Sequence, residues 1–208
     1  MLRAMKKLTI FVLAIALTLF AAQASANRMA SQIKAVENAY QNASGIKADF
    51  TQTTYLEILE KTVKKRGKIY MKDGGKFRIE YRRGKNYVSD GNTMWVYIPG
   101  DPGSLTVFEV NSETVPKEAM KFLSGFNNLK KDFRIKPSKE FKALAPGESA
   151  FYLIPKSRKA HFKALDAKFN SDNLLEELKV HNKSGNISTY RFTKITTSKN
   201  LSNALFTH

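Results

Sequence analysis

The run from Gly67 to Pro99, GKIYMKDGGKFRIEYRRGKNYVSDGNTMWVYIP, leaves the chain few options. Ile69 and Met71 alternate with Lys68, Tyr70 and Lys72. After Asp73-Gly74-Gly75, Phe77, Ile79 and Tyr81 alternate with Lys76, Arg78 and Glu80. Alternation with a period of two puts successive side chains on opposite faces of a strand. Arg83-Gly84 and Asp90-Gly91 are further turn signals, the second of the strongest hairpin type. Asn86 to Ser89 and Met94 to Ile98 form two more short runs, and Pro99-Gly100 ends the series. Strands this short, joined by turns this tight, predict an antiparallel meander with one large apolar face.

The flanks extend the pattern. Residues 28–44 are predicted helical, because Met29, Ile33, Val36 and Tyr40 recur at spacings of three and four and Ser44-Gly45 is a stop signal. Ile46, Ala48 and Phe50 then alternate with Lys47, Asp49 and Thr51, and the strand runs on to Leu56. Leu105 to Val110 is another strand. Pro116 opens a short helix that carries Ala119, Met120 and Leu123 and ends at Gly125, with Phe122 and Phe126 beside it. Further strands are expected at 132–136, 150–155, 162–170, 174–181 and 187–195. The last three form two consecutive hairpins suited to the closing edge of a large sheet. Asn200 to Phe206 reads as a short helical turn or an edge segment.

Residues 1–26 read as a cleavable export signal. Arg3, Lys6 and Lys7 precede the apolar run Leu8 to Ala22, and Ala24-Ser25-Ala26 supplies small residues for cleavage. The apolar run is shorter than the ~20 residues a spanning helix needs. Residues 27–208 are expected to form one soluble, exported domain. No cysteine is present, which excludes disulfides, thiolate chemistry and lipid attachment through an N-terminal cysteine.

Lysine and arginine outnumber aspartate and glutamate by 35 to 18, a formal charge of +17, which favours anionic partners. The basic residues are scattered along the chain, as on a solvated surface. The densest group, four within Lys61 to Arg66, suits either a solvated strand or contact with anionic lipid headgroups.

Local signatures of catalysis are missing. The three histidines, His161, His181 and His208, stand apart in sequence. There is no H-E-x-x-H, no Gly-rich phosphate loop and no G-x-S-x-G; Gly147-Glu148-Ser149-Ala150-Phe151 lacks the closing glycine. No calcium loop or carboxylate pair stands out. A binding protein without cofactor or metal is therefore expected.

The ordered strings G-x-I-Y-M-K (67–72), K-F-R-I-E-Y (76–81) and V-S-D-G-x-x-x-W-V-Y-x-P (88–99) resemble the LolA family of periplasmic lipoprotein carriers. So do I-K-A-D-F-T-Q at 46–52 and A-L-F at 204–206. The resemblance implies a mainly β (α+β) fold: a strongly curved antiparallel sheet forming an incomplete β-barrel, with short helices covering its concave apolar face. It implies a periplasmic, monomeric chaperone that binds the acyl chains of lipoproteins. Cargo would come from an inner-membrane ABC-type release complex and pass to an outer-membrane acceptor. In the family, a basic residue followed by proline after the G-x-I-Y-M-K-like strand is assigned to cargo handover. Here Lys72 is followed by Asp73-Gly74-Gly75, and Lys72 or Lys76 is the available substitute.

Alternation and helical spacing, together with this resemblance, nominate an acyl-chain cavity lined by Val36, Tyr40, Phe50, Ile69, Met71, Phe77, Ile79, Tyr81, Trp95, Met120 and Leu123. The competing class is an exported basic module for nucleic acid or anionic polysaccharide. The aromatic residues argue against it, since they alternate onto one face instead of interleaving with the basic ones. No nucleic-acid partner is expected.

Overall fold

The computed structural model describes residues 23, 26–110, 126, 129–158, 160, 162–198 and 200–208. The apolar run of the export signal and the helix expected from Pro116, with Met120 and Leu123, lie outside the described residues. The chain divides into two compact units, Met1–Ala35 and Val36–His208. In the first, residues 26–35 are helical. In the second, residues 36–42 are helical and form α1.

The second unit is organised by one antiparallel sheet of eleven strands. Its strands are β1 (Gly45–Leu56), β2 (Lys61–Lys72), β3 (Lys76–Tyr81), β4 (Asn86–Asp90), β5 (Thr93–Ile98), β6 (Asp101–Glu109), β7 (Phe133–Pro137), β8 (Ser149–Pro155), β9 (Phe162–Phe169), β10 (Leu175–Asn182) and β11 (Ile187–Thr197). A four-residue helix, α2 (Leu129–Asp132), precedes β7. The spatial order is β6-β5-β4-β3-β2-β1-β11-β10-β9-β8-β7. The sheet is curved and not closed, with β6 and β7 at its edges.

Two meanders are thus joined by β1 and β11, which lie far apart in sequence. This corrects the expected place of the last two hairpins. Strands β9, β10 and β11 lie inside the sheet, because β11 pairs with β1 from Ile46–Thr197 to Tyr55–Ile187. Strand β2 begins at Lys61, so the polybasic cluster is its first half. The C-terminal segment forms a 3-10 helix at Asn203–Phe206.

Register assigns the faces. Ile46, Ala48 and Phe50 of β1 pair with Met71, Ile69 and Gly67 of β2. Those residues pair in turn with Phe77, Ile79 and Tyr81 of β3. Directly paired residues share a face, so these side chains form one inner face. On its far side Phe77 packs with Met71, Ile79, Tyr87, Met94, Phe108 and Val110.

The outer face of β3 and β4 is covered as well. Val88 is fully buried, as is Phe206 of the C-terminal segment. Arg78 Nη1 donates to Leu205 O at 3.2 Å, and Arg78 Nη2 to Tyr97 Oη at 3.1 Å. Lys72 Nζ donates to Leu201 O at 2.7 Å and to Asn203 Oδ1 at 3.0 Å.

Gly67 explains how an aromatic ring crosses the sheet. A Cβ there would stand 2.3 Å from Glu80 O and 2.7 Å from the Phe50 ring. The ring of Phe50 therefore lies in the space a side chain would fill. Gly67→Ala is expected to push the β3 backbone at Glu80 away, displace Phe50 and destabilise the protein by at least ~1–3 kcal/mol, the usual range for overpacking. The check is a lowered urea midpoint at unchanged denaturant slope.

Candidate functional site

The inner face carries a small apolar cavity of about 20 Å³, room for a single water molecule. Its lining is Tyr40, Ile46, Ala48, Ile69, Met71, Phe126, Leu175, Phe192 and Ile195. The floor is supplied by both halves of the sheet across the β1–β11 seam. The roof is aromatic: Tyr40 and Phe126 meet edge to face with centroids 4.9 Å apart, and Phe126 meets Phe169 at 5.0 Å.

Two irregularities aim residues into this space. Between Lys47–Thr196 and Asp49–Thr193, β11 holds one residue more than β1. Lys194 takes up the excess in the left-handed region, with φ 52°. Strict alternation from Phe192 would turn Ile195 outward; the bulge returns it to the inner face. Between Leu175–Phe169 and Glu177–Lys168, β10 likewise has an extra residue. Leu175 and Leu178, three apart, are consequently both buried.

Tyr40 is the polar exception in the cavity wall. Leu175 N–H donates to its hydroxyl oxygen at 3.1 Å. Burial pushes its phenol well above the usual range, and the Leu175 bond opposes this only in part. Beside the cavity, Phe50 meets Tyr81 edge to face at 5.2 Å and lies 6.4 Å from Phe192. Tyr81 donates to Gln52 Oε1 at 2.6 Å, and Lys65 Nζ stands 5.5 Å above its ring. Burial, then the neighbouring Tyr190 and Tyr87, hold the Tyr81 phenol far above its ordinary value. Burial raises Tyr190 too.

The nominated residues therefore separate. Tyr40, Ile69 and Met71 line the cavity. Val36, one helical turn before Tyr40, is fully buried. Phe50 and Tyr81 extend the same face along β1 and β3, while Phe77 and Ile79 belong to the cluster toward β6. Trp95 does not join them. It pairs with Val88 and Val107, one residue out of phase with the inner-face Met94, so it lies on the outer face. Ile46, Ala48, Phe126, Leu175, Phe192 and Ile195 were not nominated. Alternation in 46–50 was signal enough for Ile46 and Ala48; the others depend on the long-range seam or on a bulge.

Lys72 and Lys76 are both engaged with the C-terminal segment, the second through Asn203 Oδ1 at 3.3 Å. Their placement gives each a structural task at the outer face.

A serine, an aspartate and a histidine meet on the outer face of the second half. Ser138 Oγ donates to Asp166 Oδ1 at 2.7 Å, and His181 Nε2 lies 3.0 Å from Asp166 Oδ2. The carboxylate stands between the other two. The hydroxyl proton is thus directed at Asp166 and not at an imidazole base, which is not the order that activates a serine.

The geometry is that of a cavity protein: an open antiparallel sheet with its apolar face turned inward under an aromatic cover. Residues 41–208 match the family described as outer membrane lipoprotein carrier protein LolA, and the chain belongs to that family. It is 22% identical over 179 residues to an outer-membrane lipoprotein carrier protein of Methylobacillus flagellatus, covering 85% of this chain and 84% of that one. A protein of the same description from Nitrosospira multiformis is 23% identical at the same coverage. Among solved structures, the LolA superfamily protein NE2245 from Nitrosomonas europaea aligns with 86% of this chain and 96% of its own, at TM-score 0.47 and 11% identity.

The buried phenols make a pH prediction. Unfolded tyrosines ionise near pH ~10. Below that pH both states are neutral, and stability is at its full value. Above it the unfolded chain releases protons that folded Tyr40, Tyr81 and Tyr190 retain, so stability falls, by at most ~1.4 kcal/mol per pH unit for each retained phenol. Urea midpoints should drop between about pH 9 and about pH 11. Phenylalanine at all three positions should flatten that drop.

Proposed function

We propose that this protein is a periplasmic carrier that shelters the acyl chains of lipoproteins against the inner face of its sheet. It would take cargo from an inner-membrane ABC-type release complex and pass it to an outer-membrane acceptor. The observation that carries the reading is the apolar cavity under Tyr40, walled by residues from both halves of the sheet. Family membership and the descriptions of the two relatives support the choice of cargo.

At about 20 Å³ the cavity holds no acyl chain as it stands. On this reading cargo enters as Tyr40 and Phe126 draw away from Ile69, Met71 and Phe192. Each methylene then buried contributes ~0.8 kcal/mol. Tyr40 and Phe126 already cover part of the same apolar surface. Net affinity is the difference between two ways of covering one face, which suits a carrier that must also let go.

The test is displacement of an environment-sensitive apolar dye by an acylated lipopeptide. Met71 is half-buried at the cavity wall, so Met71→Glu is expected to fold and to weaken lipopeptide binding at least ~tenfold, since a carboxylate there must be desolvated. Unchanged affinity in the folded variant would sink this placement of the cargo. The emission of Trp95, the single tryptophan, is expected to stay nearly constant on loading, because its side chain lies on the outer face.

A further inference from the structure

The tip of the β1–β2 hairpin exposes apolar side chains in a way the rest of the inner-face chemistry does not require. Ile58 is 88% exposed and Leu59 61%, and Tyr55 and Val63 flank them, also exposed. The backbone enforces this. Glu57–Leu59 is a 3-10 turn, and Glu60 closes it in the left-handed region at φ 49°. Side chains at such an apex project past the last strand pair, Leu56–Lys61, and have no sheet neighbour to cover them. The tip is also held in place: Glu57 N–H donates to Asn186 Oδ1 of the β10–β11 turn at 3.0 Å.

Charge surrounds the apex. Lys61, Lys64, Lys65 and Arg66 follow it directly, against the acidic Glu57 and Glu60. Successive β2 side chains alternate between faces, so Lys61 and Lys65 fall on the inner side and Lys64 and Arg66 on the outer. Bulky aliphatic groups at an apex, a tyrosine at the flank and cations on both sides match the layers of a phospholipid surface: acyl boundary, interface and phosphate.

We propose that this tip docks on an anionic phospholipid bilayer, with Ile58 and Leu59 entering the headgroup–acyl boundary and the lysines pairing with lipid phosphates. The contact is reversible, since two aliphatic side chains and a few cations fall well short of a membrane anchor. It lies at the hairpin end, apart from the cavity lining, and does not depend on what the cavity carries.

The experiment is co-sedimentation with vesicles of phosphatidylglycerol and phosphatidylethanolamine, against vesicles of phosphatidylcholine alone. The protein is that recovered in soluble form from cells expressing the full chain, with all variants made in the same background. The wild-type protein should bind the anionic vesicles, more weakly as salt rises, and bind the neutral ones little. Ile58→Ser with Leu59→Ser should weaken binding at least ~tenfold. Lys61→Gln with Lys64→Gln, a second and independent arm, should weaken it ~tenfold or more on anionic vesicles. The proposal is overturned if the wild-type protein leaves anionic vesicles unbound. It is equally overturned if the folded serine variant binds as the wild type does, which would assign the apex to a protein partner or to solvent.

Discussion

The pairing of β1 with β11 is the constraint on which the rest depends. Among the described strands it alone joins the meander β2–β6 to the meander β7–β10. Without it each half would present an unpaired edge and half of an apolar face. Closing so long a loop costs conformational entropy before any contact repays it. The repayment is the row Ile46, Ala48, Phe50 and Phe192, all buried at the seam. The cavity sits over this seam because only there do the inner faces of the two halves meet.

The inner face poses a second problem, that of keeping a wide apolar surface out of water. The toward-β6 flank solves it by packing on itself around Phe77. The centre is covered by Tyr40 and Phe126, with the Tyr40 hydroxyl satisfied by Leu175 N–H. That hydrogen bond ties the helix to β10. Tyr40 and Phe126 belong to no strand, so these two rings can move without breaking a strand ladder. The outer face is handled differently, with the C-terminal segment clamped over β3 and β4 by Arg78 and Lys72.

Much of the fold was legible in local pattern. The turns at Asp73-Gly74-Gly75 and Asp90-Gly91 and the alternation through Phe77, Ile79 and Tyr81 each recur in the structure as read. The cavity was legible in part: Tyr40, Ile69 and Met71 followed from helical spacing and alternation. Trp95 was misassigned because β5 carries apolar residues on both faces, Met94 and Val96 inward, Trp95 and Tyr97 outward. A period of two names two faces without saying which is inner, and here the outer face is partly covered as well.

What the sequence determined by itself is therefore whatever depends on near neighbours: strand periodicity, turn chemistry, the apolar stripe of α1 and the basic run beginning at Lys61. Tertiary structure decided the rest. The extra residue at Lys194 turns Ile195 inward, and the one in β10 buries both Leu175 and Leu178. Which strand becomes the neighbour of β1 was settled across more than a hundred residues. The physical reason is the same in each case. A bulge or a distant pairing gains its free energy from partners that are absent from the local chain, so no window of neighbouring residues carries its signal.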